Sequence, residues 1–363
     1  MPNKKRIAIL PGDGIGPEIM KQGVRMLKLL QEPFDMELTF VEGSIGAAAL
    51  KEYGTPLPQE TLQCIQDTDA VLVGPVGDPA FEDQPEHLRP EQALVDLRIA
   101  LGAFANMRSV RIYNKAVDSG DSTRVRNVDF NIIRDMRKGR YWREHLAFQG
   151  MAPGETRKPD YRLPEVTRTA TQAFRIARNR KKNITVVYPA KGEGIGEWLE
   201  LVAGIAAKHP DVQVDQMTTA ACLDALEKDP FHFDVILSEC TTTAAINDFT
   251  LKMTEKEGML SSIVFGKKQP LIQPVHSTEG HLAGKNIANP IAMFYSVGMI
   301  CEYAFGRPLA ARNVEEAITT IMCRESQFSG KPIKSGKGKG TEEFSQYVFD
   351  EIRQSLSMPF LTV

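Results

Sequence analysis

The sequence predicts an α/β protein built from two domains, and two observations lead to that class. Short apolar runs that end at Gly or Pro alternate with amphipathic stretches of helical period. The length of 363 residues also exceeds one ordinary domain. We expect strands at Ile7–Leu10, Ala70–Val73, Phe130–Ile133, Ile184–Val187, Phe233–Leu237 and Leu271–Val275. We expect helices at Glu18–Leu30, Thr169–Asn179, Glu197–Lys208, Val314–Met322 and Glu342–Ser357.

The composition predicts a soluble, cytoplasmic protein with no nucleic-acid or membrane partner. Hydrophobic residues make up 42% of the chain and charged residues 25%, and the net charge is -2. That balance gives no general attraction to nucleic acid or to an anionic membrane. No apolar run approaches the roughly 20 residues that span a bilayer, and the first residues do not form a signal peptide. The five cysteines lie apart without a C-x-x-C pair, which is typical of reduced thiols.

A glycine-rich segment, Leu10-Pro-Gly-Asp-Gly-Ile-Gly-Pro-Glu18, follows the first predicted strand and opens the first predicted helix. A Rossmann fold places its phosphate-binding loop at this point. The spacing differs, however, from G-x-G-x-x-G, and Pro17 lacks the N–H that a phosphate would need. We also expect no acidic residue at the end of a second strand at the usual distance. The sequence therefore predicts that this is not a standard Rossmann fold.

The same segment resembles the opening of the isopropylmalate/isocitrate dehydrogenase family, the metal-dependent β-decarboxylating dehydrogenases. Further resembling segments occur in the family's order. They are Gly54-Thr-Pro-Leu-Pro58, Arg89–Leu94, Leu97-Arg98, Phe104-Ala-Asn-Met-Arg108, Arg134, Tyr141, Pro274-Val-His276 and Ala283–Pro290. Each segment is weak evidence alone, but their common order along most of the chain is specific. The pattern is most similar to the isopropylmalate branch of the family.

The resemblance implies an isopropylmalate dehydrogenase-like fold of two α/β domains with the active site in the cleft between them. It implies a discontinuous first domain, residues 1–103 plus 256–363, on the nucleotide-loop side. The second domain, residues 104–255, would carry the dimer interface and the metal and base positions. A homodimer, or a mixed dimer with a homologue, is the expected assembly.

The resemblance also places Arg98, Arg108 and Arg134 on the carboxylates and hydroxyl of a malate-type substrate. A guanidinium offers a carboxylate two parallel N–H···O bonds and keeps its charge at any working pH. A surface ion pair is the usual role of a single arginine, but three matches in their motifs favour ligand binding. Glu91 and Leu94 fall on the positions that contact the variable substrate side chain, where leucine suits an alkyl group. We expect a 2-hydroxy or 2-oxo di- or tricarboxylate as the ligand.

The positions that would bind the divalent cation are altered. The family uses three aspartates, and the corresponding residues here are Ala220, Ala244 and Asp248. A hard cation relies on several anionic oxygens, so Asp248 alone would hold Mg²⁺ or Mn²⁺ weakly. The sequence therefore makes a bound cation doubtful.

The positions of the acid and base are altered as well. Tyr141 matches the family tyrosine, but Tyr188 stands where the family has its lysine. A phenol with a pKa of about 10 is a poor replacement for a lysine tuned by burial.

The cofactor positions are partly kept. Ile15, His276, Ala288 and Asn289 match residues that contact the adenosine of NAD or NADP, while His281 replaces the ribose-binding aspartate. Near the nicotinamide, an asparagine and a glutamate of the family are replaced. The residues there are Ala190 and Gln273. We expect weakened binding of NAD or NADP and, without that aspartate, weaker discrimination between them.

Three functions are compatible with these residues. The first is a divergent homologue that binds a malate-type ligand and is impaired in, or repurposed from, metal- and NAD-dependent oxidative decarboxylation. The second is an active NAD-dependent 3-isopropylmalate-type dehydrogenase whose missing groups come from Lys191, Asp224 or Glu239. The third is a regulatory subunit of a catalytic homologue. The segment Lys331–Gly340, rich in Gly and Lys, is expected to be a solvated loop, with a phosphate contact as the alternative.

Overall fold

The computed structural model describes residues 3–118, 123–136, 164–254, 259–329 and 340–357. The chain forms two compact units. The first comprises Met1–Leu101, Glu257–Ile263 and Lys268–Val363, and the second comprises Gly102–Lys256 and Val264–Lys267. Strands and helices are mixed in both units, so the predicted α/β class is confirmed.

The elements are numbered in chain order. The strands are β1 (Asn3–Leu10), β2 (Met36–Glu42), β3 (Ala70–Val73), β4 (Ala103–Asp118), β5 (Thr123–Asp135), β6 (Asn183–Tyr188), β7 (Gln213–Thr218), β8 (Val235–Ser238), β9 (Ser261–Gly266) and β10 (Leu271–Pro274). The helices are α1 (Gly16–Leu30), α2 (Ala47–Tyr53), α3 (Gln59–Ile65), α4 (Gln92–Ala100), α5 (Pro164–Arg178), α6 (Ile195–Ala206), α7 (Thr219–Lys228), α8 (Thr243–Thr254), α9 (Ile291–Met299), α10 (Pro308–Ser329) and α11 (Thr341–Ser357).

The first unit is a sheet with the strand order β2-β1-β3-β10-β9, in which β1 runs parallel to both β2 and β3. Helix α1 packs against α9 and α11. Helix α3 contacts β1 and β2. Gly23 of α1 allows this close packing because a side chain there would meet Met293 of α9. The carboxyl ends of these parallel strands therefore lie beside the glycine loop that follows β1.

The second unit has the strand order β4-β5-β8-β6-β7, with an antiparallel β4–β5 pair and parallel pairs beyond it. Helix α5 packs against β4 and β5, with α6 beside it. Apolar side chains of β4 and β5 such as Val110 and Phe130 form a buried cluster with Leu226 of α7 and Ile246 of α8. This cluster packs against the face of the sheet that carries Arg108 and Arg134.

The predicted elements lie where the sequence places them, with shifts at their ends. Strand β8 begins at Val235, two residues later than predicted, because residues 230–232 form a 3-10 turn capped by Asp229. Strand β10 ends at Pro274, one residue early. Several elements were not predicted from the sequence, among them β2, β4 and α9. All nine residues of α9 are buried, so this helix lacks the polar face of an amphipathic helix.

One expectation was wrong. The second strand does end in an acidic residue, Glu42 of β2.

Among the described residues no helix combines the length and the hydropathy of a membrane span.

Candidate functional site

Arg108 and Arg134 lie on the same face of the β4–β5 pair. Asn106 of β4 is opposite Arg134, and Arg108 is two residues further along β4, opposite Ile132. Alternate residues of a strand share a face, so the two arginines are diagonal neighbours roughly 7 Å apart at Cβ. The register therefore brings together two cations that are 26 positions apart in the sequence.

Both arginine side chains are half-buried. The Nε atoms of Arg108 and Arg134 are buried and, within the described part of the chain, have no hydrogen-bond partner. Burial lowers the pKa of Arg108 below its ordinary value, and repulsion from Arg134 lowers it further. The attraction of Asp248 opposes this shift without cancelling it. Burial likewise lowers the pKa of Arg134, against the attraction of Asp135 and the Cys240 thiol. The site therefore holds positive charge that an anion would stabilise.

The turn between β8 and α8 borders this charge. Glu239 is fully buried, and its carboxylate accepts hydrogen bonds from the backbone N–H of Thr241 at 2.7 Å and from the Cys240 thiol at 3.0 Å. The Thr242 hydroxyl donates to the carbonyl oxygen of Glu239 at 2.8 Å. The sequence analysis did not predict that Cys240 lies near Arg134. The run of hydroxyl residues after an apolar strand could have indicated a polar turn at this point.

The three residues predicted for the family's metal positions do not form a ligand set within the described part of the chain. Asp248 is exposed on α8, and Ala244 precedes it by one turn on the same helix. Ala220 is exposed near the start of α7. A methyl group offers no oxygen ligand, and no cluster of three or more His, Cys, Asp or Glu suited to a metal occurs in the described ranges. The residues present in this chain do not fit the cation.

The residues that could replace the missing carboxylates and lysine either already have other partners or are exposed. Asp224 lies one turn after Ala220 and forms an ion pair with Lys228 at 2.7 Å. The carboxylate of Glu239 faces its own turn, as described above. Lys191 is exposed beyond the end of β6, whereas Tyr188 is the last residue of β6 and is half-buried.

The glycine loop is a junction of backbone segments. Gly12 and Gly14 have positive φ angles of 74° and 57°, and a side chain on either would overlap a carbonyl oxygen of Pro75 or Thr278. The buried Asp13 carboxylate accepts hydrogen bonds from backbone N–H groups at the start of α2 and at residue 77, between 2.9 and 3.0 Å. Loop atoms are thus committed to protein contacts, which agrees with the rejection of a standard Rossmann phosphate loop.

The segments predicted to hold the adenosine meet around the start of α1. The N–H of Ile15 donates to the carbonyl oxygen of Thr278 at 2.9 Å. Thr278 lies two residues after His276. Ala288 is buried and its N–H donates to Glu18 of α1 at 3.0 Å. A nucleotide spanning these segments is therefore consistent with the fold of the first unit.

The remaining predicted cofactor residues lie on the same segments. The side-chain oxygen of Asn289, two residues before Ile291, accepts the N–H of Ile291 at 3.0 Å at the start of α9. His281 is exposed, with its Nδ1 3.5 Å from the carboxylate of Glu279, and Gln273 lies in β10. Ala190 is exposed beyond β6 in the second unit.

The other predicted substrate residues belong to the first unit. Arg98 and Leu94 lie on α4, and Glu91 immediately precedes that helix. The Glu91 carboxylate packs over Gly77, where a side chain would meet its Oε1 at 2.6 Å. Convergence of Arg98 with the pair on β4 and β5 stays a prediction. Tyr141 lies outside the described residues, as does most of Lys331–Gly340.

Fold and site together define an α/β protein with a buried dicationic site, and sequence comparison gives its family. The family model described as isocitrate/isopropylmalate dehydrogenase matches residues 6–348. A 3-isopropylmalate dehydrogenase of Geobacillus kaustophilus is 38% identical over 350 residues, covering 94% of each chain. That of Priestia megaterium is 35% identical over 324 residues, covering 88% of each. The chain therefore belongs to the isocitrate/isopropylmalate dehydrogenase family.

Solved structures support the same fold. An isocitrate dehydrogenase from Methylococcus capsulatus superposes with a TM-score of 0.72 at 23% identity, covering 96% of this chain and all of that one. A β-decarboxylating dehydrogenase from Thermococcus kodakarensis gives a TM-score of 0.72 at 25% identity and covers 99% of both chains.

Proposed function

We propose that this family member binds a malate-type 2-hydroxy or 2-oxo di- or tricarboxylate, together with NAD or NADP. We further propose that it is impaired in, or repurposed from, metal-dependent oxidative decarboxylation. The observation that carries the proposal is the pair Arg108 and Arg134, half-buried on one sheet face with buried Nε atoms that have no hydrogen-bond partner among the described residues. A carboxylate would offset the repulsion between the two cations and pair with them through N–H···O bonds. Arg98 would contribute the third guanidinium.

The positions around this pair support the loss of ordinary turnover. Ala220 and Ala244 supply no oxygen to a cation that would polarise the 2-hydroxyl group. Tyr188 replaces an amine with a phenol at the end of β6.

The second candidate is an active NAD-dependent 3-isopropylmalate dehydrogenase, favoured by identity of 31–38% to such enzymes over most of the chain. Bound NAD would supply the hydride acceptor. The ion pair of Asp224 with Lys228 and the internal hydrogen bonds of Glu239 count against these carboxylates as replacement ligands.

The experiment measures NADH or NADPH formation with 3-isopropylmalate, isocitrate and D-malate in the presence of Mg²⁺ or Mn²⁺. We expect ligand-dependent thermal stabilisation but little turnover in the wild-type protein. Turnover near an ordinary value of about 10 s⁻¹ would overturn the proposed impairment. The combined variant Tyr188→Lys, Ala220→Asp, Ala244→Asp should gain about 10²-fold or more, the typical contribution of a restored acid–base group.

A further inference from the structure

The carboxylate of Glu18 joins three parts of the first unit that are far apart in the sequence. Its Oε1 accepts the N–H of Ala288 at 3.0 Å, and its Oε2 accepts the N–H of Asn286 at 3.2 Å. The Thr341 hydroxyl contacts Glu18 Oε1 and also lies 2.8 Å from the carbonyl oxygen of Ala288. Thr341 is 1% exposed and Ala288 2%, so the donor groups of these two residues are shielded from water, whereas Asn286 is exposed.

Asn286 connects the same segment to the start of α11. Its side-chain oxygen accepts the N–H of Glu342 at 3.0 Å, and its carbonyl oxygen accepts the N–H of Thr341 at 2.8 Å. Asn286 also adopts a left-handed φ of 55°. A residue outside the helix therefore satisfies the first N–H groups of α11, and its backbone is fixed in an uncommon conformation.

Helix α1 thus holds two segments at its first turn. Ile15 binds the segment after β10 through Thr278, as described above, and Glu18 binds residues 286–288. Both segments carry residues that match the family's adenosine contacts. The separation between them depends on the bonds that Glu18 and Thr341 make.

We infer that Glu18 and Thr341 form a clamp that positions residues 286–289 against Ile15 and thereby sets the affinity for the nucleotide. The inference rests on the nucleotide-binding part of the proposed function. Glu18 and Thr341 are positioning residues, because they act through the backbone of Asn286 and Ala288. Loss of either partner leaves a buried donor or acceptor unpaired and frees the segment.

The test compares Glu18→Gln, Thr341→Val and Thr341→Ser in the full-length protein. Kd values for NADH and NADPH are measured by fluorescence, and the Kd for 3-isopropylmalate by calorimetry. Glu18→Gln and Thr341→Val should weaken nucleotide binding about tenfold, the scale of one unpaired buried group. Thr341→Ser keeps the hydroxyl and should bind as wild type does. Carboxylate affinity should stay within about twofold in every variant, since Arg108 and Arg134 are untouched.

Glu342→Gln is the matched control, because it removes an exposed ion pair with Lys21 at the same helix start but keeps the backbone bond to Asn286. Hydrogen exchange supplies a second readout: the amides of Asn286 and Ala288 should exchange faster in Glu18→Gln. Unchanged nucleotide affinity in the variants, or equal losses for nucleotide and carboxylate, would overturn the clamp alone. Wild-type protein that binds neither nucleotide would overturn the proposed nucleotide function and the clamp with it.

Discussion

At the scale of single residues, the charge of Arg108 and Arg134 is the feature with the clearest chemical consequence. Two buried cations on one sheet face repel each other and lack full solvation. Such a pair is unfavourable in the free protein and favourable once an anion is bound. Its effect should therefore differ between the free and the liganded protein.

Arg108→Met should abolish the thermal stabilisation that a bound carboxylate gives, which is about 2.7 kcal/mol at 100 times Kd. Without ligand, the variant should be at least as stable as wild type, because a repelled buried charge becomes an apolar side chain of similar length. Differential scanning fluorimetry with 3-isopropylmalate, isocitrate and D-malate measures both effects. Arg353→Met, at an exposed ion pair, is the control and should keep the ligand response. A full ligand response in Arg108→Met would contradict the site.

Asp13 shows how a residue of a recognised motif can have a structural role. Burial raises the pKa of this carboxyl group, although three backbone N–H bonds oppose the shift. Asp13→Asn replaces one accepting oxygen with an NH₂ group that faces an N–H donor. We expect a loss of about 1–3 kcal/mol in the free energy of unfolding, measured in urea. Asp224→Asn, at an exposed pair, should change stability by less than about 1 kcal/mol. Equal stability of Asp13→Asn and wild type would exclude this junction role.

At the scale of elements, a partly buried ion network joins the segment after α5 to β5 and to the residue before β8. Arg180 Nε lies 2.7 Å from Asp234, and its Nη2 lies 3.1 Å from Asp129. Asp234 is 1% exposed and receives a second bond from the N–H of Lys181 at 3.0 Å. The network fixes the entry of β8, whose end leads into the turn beside Arg134.

The network predicts a specific acid sensitivity. Burial opposes the ionisation of Asp129, but Arg111 and Arg180 outweigh it and hold its pKa below the ordinary 3.8. A carboxyl group with a lowered folded pKa contributes stability above 3.8 that is lost as the pH falls through the folded value. Arg180→Met should therefore be strongly destabilised at pH 7, and the difference from wild type should shrink below pH 3.8.

Urea unfolding between pH 7 and pH 3 measures this dependence. Arg178→Met removes an exposed pair with Asp211 at 3.0 Å and serves as the control, with a small effect expected. A difference between Arg180→Met and wild type that does not vary with pH would show that the carboxylates are not the titrating groups.

At the scale of the whole molecule, the arginine pair of β4 and β5 and the proposed nucleotide segments belong to different compact units. The arginine pair lies in the second unit, whereas Ile15, His276 and Ala288 lie in the first. Each ligand should therefore order its own segments.

Hydrogen exchange measures this division. A bound carboxylate should slow exchange in β4 and β5 near Arg108 and Arg134, and NADH should slow exchange in residues 15–18 and 276–289. Protection of the β4–β5 pair by NADH alone, with no carboxylate present, would contradict the assignment of sites to units.

The sequence by itself determined the α/β class and the positions of six of the ten described strands and five of the eleven described helices, and it predicts the type of ligand. Those features depend on local periodicity and on residue types in short motifs, which are readable one segment at a time. It also predicts that Ala220, Ala244 and Tyr188 depart from the family's metal and base positions. Only the tertiary structure decided what Asp13 and Glu18 do, because their partners lie between 34 and 323 positions away along the chain. It likewise paired Arg108 with Arg134, since strand register, not sequence spacing, sets which side chains share a face.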